Sequence, residues 1–172
     1  MLLSGGKGKH VTAGVRLSPR LVKMYLHTTP EKLNNLYRRT TVSQQASGVL
    51  GYNGHYANGL TALFIATGQD VANIANSAVG ITNIERLPDG DLYASVTLTS
   101  LTVATIGGGT GLGASAQCLD MLGCRGSGKA AKFAEITAAT VLAGELSFGA
   151  ALAASEFVNA HESYGRNRPE QS

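Results

Sequence analysis

The 172-residue sequence has no tryptophan, two cysteines, four prolines and only 15% charged residues. Set beside 22 glycines, the missing tryptophan points to a core closed by near approach of backbones rather than by aromatic bulk. Cys118 and Cys124 are too few for a disulfide framework and lack the paired spacing of a zinc site. Reduced thiols and a cytoplasmic location are expected. No metal-ligand cluster, nucleophile elbow or phosphate loop with its lysine is present, so no metal partner is expected. No secretory leader is legible, because Met1-Leu2-Leu3 runs straight into Ser4-Gly5-Gly6-Lys7. One stretch, Ile136 to Ala154, approaches the length of a membrane span. Glu145 at its middle and its many Ala, Gly and Thr residues suit a helix buried among helices, so no membrane partner is expected. Internal repeats and low-complexity tracts are also lacking.

What is present suits one domain with a respectable core: 44% hydrophobic residues and a net charge of +3. The charge is uneven. Residues 1–39 hold eight Lys and Arg against the single Glu31, giving +7 and leaving −4 for the remainder. Such an excess reads first as a solvated face. It lacks the interleaved aromatics of a single-strand binder, so nucleic acid is not an expected partner.

Val11 to Leu17 alternates as a strand. Ser18-Pro19 and Thr29-Pro30 are successive helix starts, each a capping residue followed by proline, and the first helix stops near His27. Thr40 to Val49 is polar and small and reads as a loop. Leu60, Leu63, Phe64 and Thr67 share one face of a third helix, ended by Gly68, with His55 and Asn58 three apart in its first turn. Val71 to Asn76 continues as a further helix. Ile81 to Leu87 and Leu92 to Val103, joined through Pro88-Asp89-Gly90-Asp91, form a hairpin. A helix over about Ser115 to Leu122 and a loop over Gly123 to Gly128 follow. A long helix then runs from about Lys129 toward His161, with Gly144 and Gly149 inside it. Each glycine costs about 1 kcal/mol relative to alanine, a cost accepted where another helix or a ligand must come close.

Between the hairpin and the next helix lies the glycine-dense run Ala104 to Gly113. A strand, such a turn and a helix start can face backbone N–H groups toward an anion, and Gly109-x-Gly111-x-x-Ala114 is the loose form of the dinucleotide fingerprint. The same run reads equally as a tight turn packed on a neighbouring helix. Of the four histidines, His10 and His27 read as structural. His55 stands near a helix start, and His161 falls at a helix C-terminus, where the dipole favours an imidazolium able to act as a general acid. Asp70 reads either as a buried carboxylate in a cleft or as the cap of the helix beginning at Val71.

These stretches together resemble the catalytic domain of the 3-hydroxy-3-methylglutaryl-coenzyme A reductase family. The likeness rests on Gly51-Tyr52-Asn53-Gly54-His55-Tyr56-Ala57-Asn58, Ala66-Thr67-Gly68-Gln69-Asp70, and Thr105-Ile106-Gly107-Gly108-Gly109-Thr110. It continues through Cys118-Leu119-Asp120-Met121-Leu122-Gly123 and Ala143-Gly144-Glu145-Leu146-Ser147, with His161 at the family's spacing. It covers about residues 5 to 168, and the ending from His161 to Arg168 is similar to bacterial members of the family's first class.

The resemblance implies a two-step reduction of 3-hydroxy-3-methylglutaryl-coenzyme A to mevalonate and coenzyme A, using two NADPH, in isoprenoid biosynthesis. It assigns Asp70 to a charged network beside the substrate carbonyl and His161 to protonating the departing coenzyme A thiolate. His55, Asn58 and Phe148 fall at the substrate, and Gln69, Ile106 and Gly107 at the nicotinamide side of the cofactor pocket. Arg166 falls near the cofactor phosphate, although the family's Asn-Arg pair is Gly165-Arg166 here and Asn167-Arg168 follows. The family's catalytic glutamate, its Asp-Lys-Lys segment and its Asp-Ala-Met-Gly-Met-Asn cofactor motif are not among these 172 residues. Residues 1–172 therefore read as a single incomplete catalytic domain, the C-terminal portion, with a flexible tail over 165–172 and no appreciable activity alone. An α+β fold is expected, with helices around a long central helix and a small, mainly antiparallel sheet. A homo-oligomer is expected as well, because the family builds its site between subunits. A non-catalytic oligomerisation module of the same family is the alternative reading, and a free-standing nucleotide-binding protein a third.

Overall fold

A computed structural model describes residues 6–49 and 51–154. The long helix's continuation toward His161, His161 itself, Arg166 and the 165–172 tail lie outside the described residues.

The first strand, β1 (Lys9–Leu17), alternates half-buried and exposed residues as its sequence does. Helix α1 (Pro19–Leu26) starts where Ser18 Oγ accepts the Leu21 amide and stops at His27, which sits in the left-handed region at φ 51°. Helix α2 (Pro30–Ala46) is capped by Thr29, whose hydroxyl accepts the Lys32 amide. It runs on through most of the stretch expected to be a loop. The polar residues there stay helical by bonding back to carbonyls one turn earlier: Thr40 to Leu36, Ser43 to Arg39 and Ser47 to Ser43. Gln44 reaches further and donates to the Asn53 carbonyl, so this end of α2 is anchored to the next segment.

Helix α3 (Tyr56–Thr67) buries Leu60, Phe64 and Thr67 and ends at Gly68 in the left-handed conformation at φ 65°. A 3-10 turn over Val71–Asn73 leads into the four-residue α4 (Ile74–Ser77). Strands β2 (Gly80–Arg86) and β3 (Leu92–Leu101) then form the expected antiparallel hairpin. The sheet is open and antiparallel in the order β1-β3-β2. β3 stops at Leu101 rather than Val103 because its neighbours have run out: β1 pairs from Lys9 opposite Leu101, and β2 from Gly80 opposite Leu98. After a 3-10 turn over Gly108–Gly111 come α5 (Gly113–Met121) and the long α6 (Ala130–Ala153).

Helix α6 lies against β1 and β3 and also meets α1, α2 and α3. Its Phe133, Ala134, Ala138 and Val141 join Leu92, Val96 and Leu98 of the sheet and Leu60 and Phe64 of α3 in one core. This is the α+β architecture expected from the sequence. By length and composition α6 could cross a membrane, yet in the fold Glu145 in that stretch is 6% exposed and fully engaged by hydrogen bonds. Only one of its two glycines answers a close approach. A Cβ on Gly144 would collide with the His55 ring, whereas one on Gly149 would sit 3.6 Å from Leu33, an ordinary contact.

Candidate functional site

Helix α3 carries the candidate residues in two groups, one at each end. At its C-terminal end the left-handed Gly68 turns the chain, and the Gln69 amide donates to Phe64 O at 2.9 Å. The Gln69 side chain is buried and pairs with Ala104 as a neighbouring strand would. Its Oε1 accepts the Ala104 amide at 2.7 Å, and its Nε2 donates to the Ala104 carbonyl at 2.9 Å and to Thr67 O at 3.1 Å. That pairing draws the glycine-dense run against Gly68, and the approach is close enough that a Cβ on Gly68 would strike the Gly109 carbonyl. The tight-turn reading and the binding-turn reading of that run therefore describe one structure. Gln69, Asp70, Ala104, Ile106, Gly107 and Thr110 line an open cavity of about 390 Å³ there.

Asp70 is exposed, contrary to the buried carboxylate expected as one reading. It caps the 3-10 turn, its carboxylate accepting the Ala72 amide at 3.0 Å and Asn73 Nδ2 at 3.1 Å. The short polar side chain at the head of a helical turn satisfies those donors from the solvent side, which leaves no reason for burial. The carboxylate still borders the cavity. Ile106 is 59% exposed, and a Cβ built on Gly107 or Gly108 meets nothing within 4 Å, so this wall is bare backbone. Among the described residues no lysine or arginine lines the cavity. These described residues fit the flat nicotinamide end of a dinucleotide and include no side-chain cation to meet its phosphates.

At the other end of α3, His55 is the N-cap residue and is half-buried, Asn58 is exposed, and Phe148 of α6 packs over Gly54. The carboxylate of Glu145 organises this end. It accepts the Gly54 amide at 2.9 Å, the His55 amide, and the Thr82 hydroxyl at 2.7 Å. Thr82 in turn bonds the Tyr56 hydroxyl at 3.3 Å, and burial pushes the Tyr56 phenol well above the ordinary tyrosine range. A small cavity of about 90 Å³ lies alongside, walled by Leu33, Tyr37, Phe148 and Leu152 with Glu145 and Thr82. Sequence reasoning noticed Glu145 as an interruption of an apolar stretch and as part of a family motif, gave no role to it, to Tyr56 or to Ala104, and missed Thr82. The lone carboxylate of the otherwise apolar stretch from Ile136 to Ala154 was the available signal.

The structure thus brings Gln69, Asp70, Ile106 and Gly107 together, and sets Phe148 over Gly54, the residue before His55. The length of α3, about 18 Å for its 12 residues at 1.5 Å rise per residue, separates the two groups. Among the described residues no group of three or more His, Cys, Asp or Glu could hold a metal ion.

Comparison with known proteins supplies the family. The family model described as hydroxymethylglutaryl-coenzyme A reductase matches residues 2–166. A 3-hydroxy-3-methylglutaryl-coenzyme A reductase of Methanocaldococcus jannaschii is 46% identical over 167 residues, covering 96% of this chain and 41% of that protein. One from Methanothermobacter thermautotrophicus is 44% identical over 162 residues, covering 94% of this chain and 41% of that protein. A rice protein, 3-hydroxy-3-methylglutaryl-coenzyme A reductase 1 of Oryza sativa subsp. indica, is 44% identical over 171 residues, covering 94% and 32%. The chain spans about two fifths of the length of the archaeal relatives it matches. With a match over nearly its whole length, and with the motifs at both ends of α3 folded into cavities, this chain belongs to the hydroxymethylglutaryl-coenzyme A reductase family.

Proposed function

We propose that these residues are part of an NADPH-dependent oxidoreductase that reduces 3-hydroxy-3-methylglutaryl-coenzyme A to mevalonate and coenzyme A in the cytoplasm. One observation carries the reading: Gln69 fastens Ala104, and the Gly-Gln-Asp segment and the Ile106-Gly107 turn then share one cavity. NADPH, when bound, supplies hydride. The chain's residues bind, orient and move protons. Ile106 and the bare Gly107 backbone give a nicotinamide ring a flat wall, and Gln69 holds that wall at a fixed distance from Asp70. Asp70 keeps its carboxylate at the cavity rim, where it can pair with a lysine beside the substrate carbonyl. His55, Asn58 and Phe148 take the substrate, and Phe148 excludes water over it. His161 delivers its proton to the coenzyme A thiolate and so prevents its return to the aldehyde, while Arg166 meets the cofactor phosphate.

A second copy completes the site in this reading, because the α3 helix holds its two groups of residues apart. Exposed apolar side chains support association, among them Ile106 at 59%, Leu112 at 67% and Met121 at 86%. The 172 residues carry neither the Asp-Lys-Lys lysine nor the glutamate of the family pattern, so by themselves they do not turn over substrate.

Calorimetric titration of this chain with NADPH, and separately with coenzyme A, tests the proposal. Heat of binding for either supports a preformed half-site. A folded chain that binds neither favours the oligomerisation module instead. Thioester-dependent NADPH oxidation by the purified 172 residues would overturn the inactivity.

A further inference from the structure

Glu145 has no assigned part in the chemistry above, yet it is the only carboxylate buried among the described residues. A carboxylate that is 6% exposed on an apolar helix is retained only where hydrogen-bond donors replace its water. Here the donors are the consecutive amides of Gly54 and His55 and the hydroxyl of Thr82. Two of the three belong to the residues that open α3, where a negative charge also suits the helix dipole. Successive backbone amides converging on one oxygen form a nest, a turn conformation that the bound anion holds.

The His55 ring is confined by the same helix. A Cβ on Gly144, the residue before Glu145, would collide with His55 Nδ1, and one on Gly59 would stand 3.1 Å from it. Nδ1 is buried and has no hydrogen-bond partner among the described residues. Among the described residues no polar contact at that nitrogen fixes the ring, and the two bare glycines leave it room against its own backbone. The backbone is what Glu145 holds.

We propose that Glu145 is a positioning residue for the substrate half-site: by gripping the Gly54 and His55 amides it seats the His55 imidazole in the socket between Gly59 and Gly144. The proposal rests on the reading of His55 as a substrate contact, and its first readout is independent of that reading.

The experiment is heteronuclear NMR on the 172-residue chain and its Glu145→Gln and Glu145→Leu variants, following the Gly54 and His55 amide protons and the His55 ring Hε1. In the native protein both amides are expected to exchange far more slowly than the amide of exposed Ala57. Glutamine keeps one oxygen able to accept both amides, so the ring resonance stays near its native position. Leucine releases them, and the resonance moves to the value of an unconstrained histidine. Titration with 3-hydroxy-3-methylglutaryl-coenzyme A is expected to weaken about tenfold in the leucine variant and less than about threefold in the glutamine variant, the loss typical of displacing one hydrogen-bonded contact.

A ring resonance unmoved by leucine overturns the positioning role and leaves Glu145 a structural anchor. If the leucine variant does not fold, native amide exchange decides, and rapid exchange at Gly54 and His55 is equally fatal. Native protein that binds no thioester while the ring behaves as described counts against the site reading and leaves the seating of His55 intact.

Discussion

Gln69 saturates Ala104: one side-chain amide accepts its N–H at 2.7 Å and donates to its C=O at 2.9 Å. Glutamate at this position has the same shape and no donor. The Gln69→Glu variant would set an oxygen against the Ala104 carbonyl in a site only 9% exposed. It is expected to lose about 2–3 kcal/mol of stability, the cost of an unsatisfied buried pair. Urea unfolding checks this, and any NADPH affinity should fall with it because the cavity wall is no longer fastened.

The two glycines inside α6 should respond to alanine in opposite directions. Gly149→Ala meets only an ordinary contact at 3.6 Å with Leu33, so it is expected to gain up to about 1 kcal/mol from helix propensity. Gly144→Ala drives a methyl into His55 and is expected to cost about 1–3 kcal/mol from overpacking. Thermal melts of both variants beside the native chain read the signs directly.

Acid should weaken the fold in a way that passes through Glu31. Its own backbone amide first, and then the Arg86 guanidinium, hold the Glu31 carboxyl below its ordinary value. The unfolded chain therefore binds this proton more readily than the native one. The stabilisation is fully present above the ordinary carboxylate range and is lost as pH falls through the depressed native value. Arg86→Gln should flatten that part of the stability profile below about pH 4.5. Equal slopes in the two proteins would remove the Arg86 contribution and leave that of the backbone amide.

Arg16 ties β1 to the hairpin turn through Asp89 and Asp91, its Nε standing 2.7 Å from Asp91 Oδ2. Arg16 and Asp89 face solvent and Asp91 is partly buried. Arg16→Ala is expected to cost no more than about 1 kcal/mol, and most of that should vanish in 1 M salt.

Local chemistry made much of the fold legible. Ser18-Pro19, Thr29-Pro30, the left-handed Gly68 and the Pro-Asp-Gly turn act within a few residues of themselves, and each element they bound lies within a few residues of its expected place. The loop expected over Thr40 to Val49 failed for a related reason. Its hydroxyls can satisfy either a loop or the carbonyl one turn back, and only packing of α2 against β2 and α6 decides which. The end of β3 was misplaced because a strand stops where its partners stop, and register is not written in one strand.

The site divides along the same line. The order and spacing of His55, Gly68-Gln69-Asp70 and Ile106-Gly107 were enough to name the family, since a chain of motifs survives being read in one dimension. The exposure of Asp70, the grip of Gln69 on Ala104 and the three donors on Glu145 join residues 35 to 91 positions apart or depend on which face meets water. Sequence by itself determined the elements and the family because caps, turns and motif spacing are short-range. Only the tertiary structure decided which polar groups are desolvated and what satisfies them, because burial is a property of the assembled core.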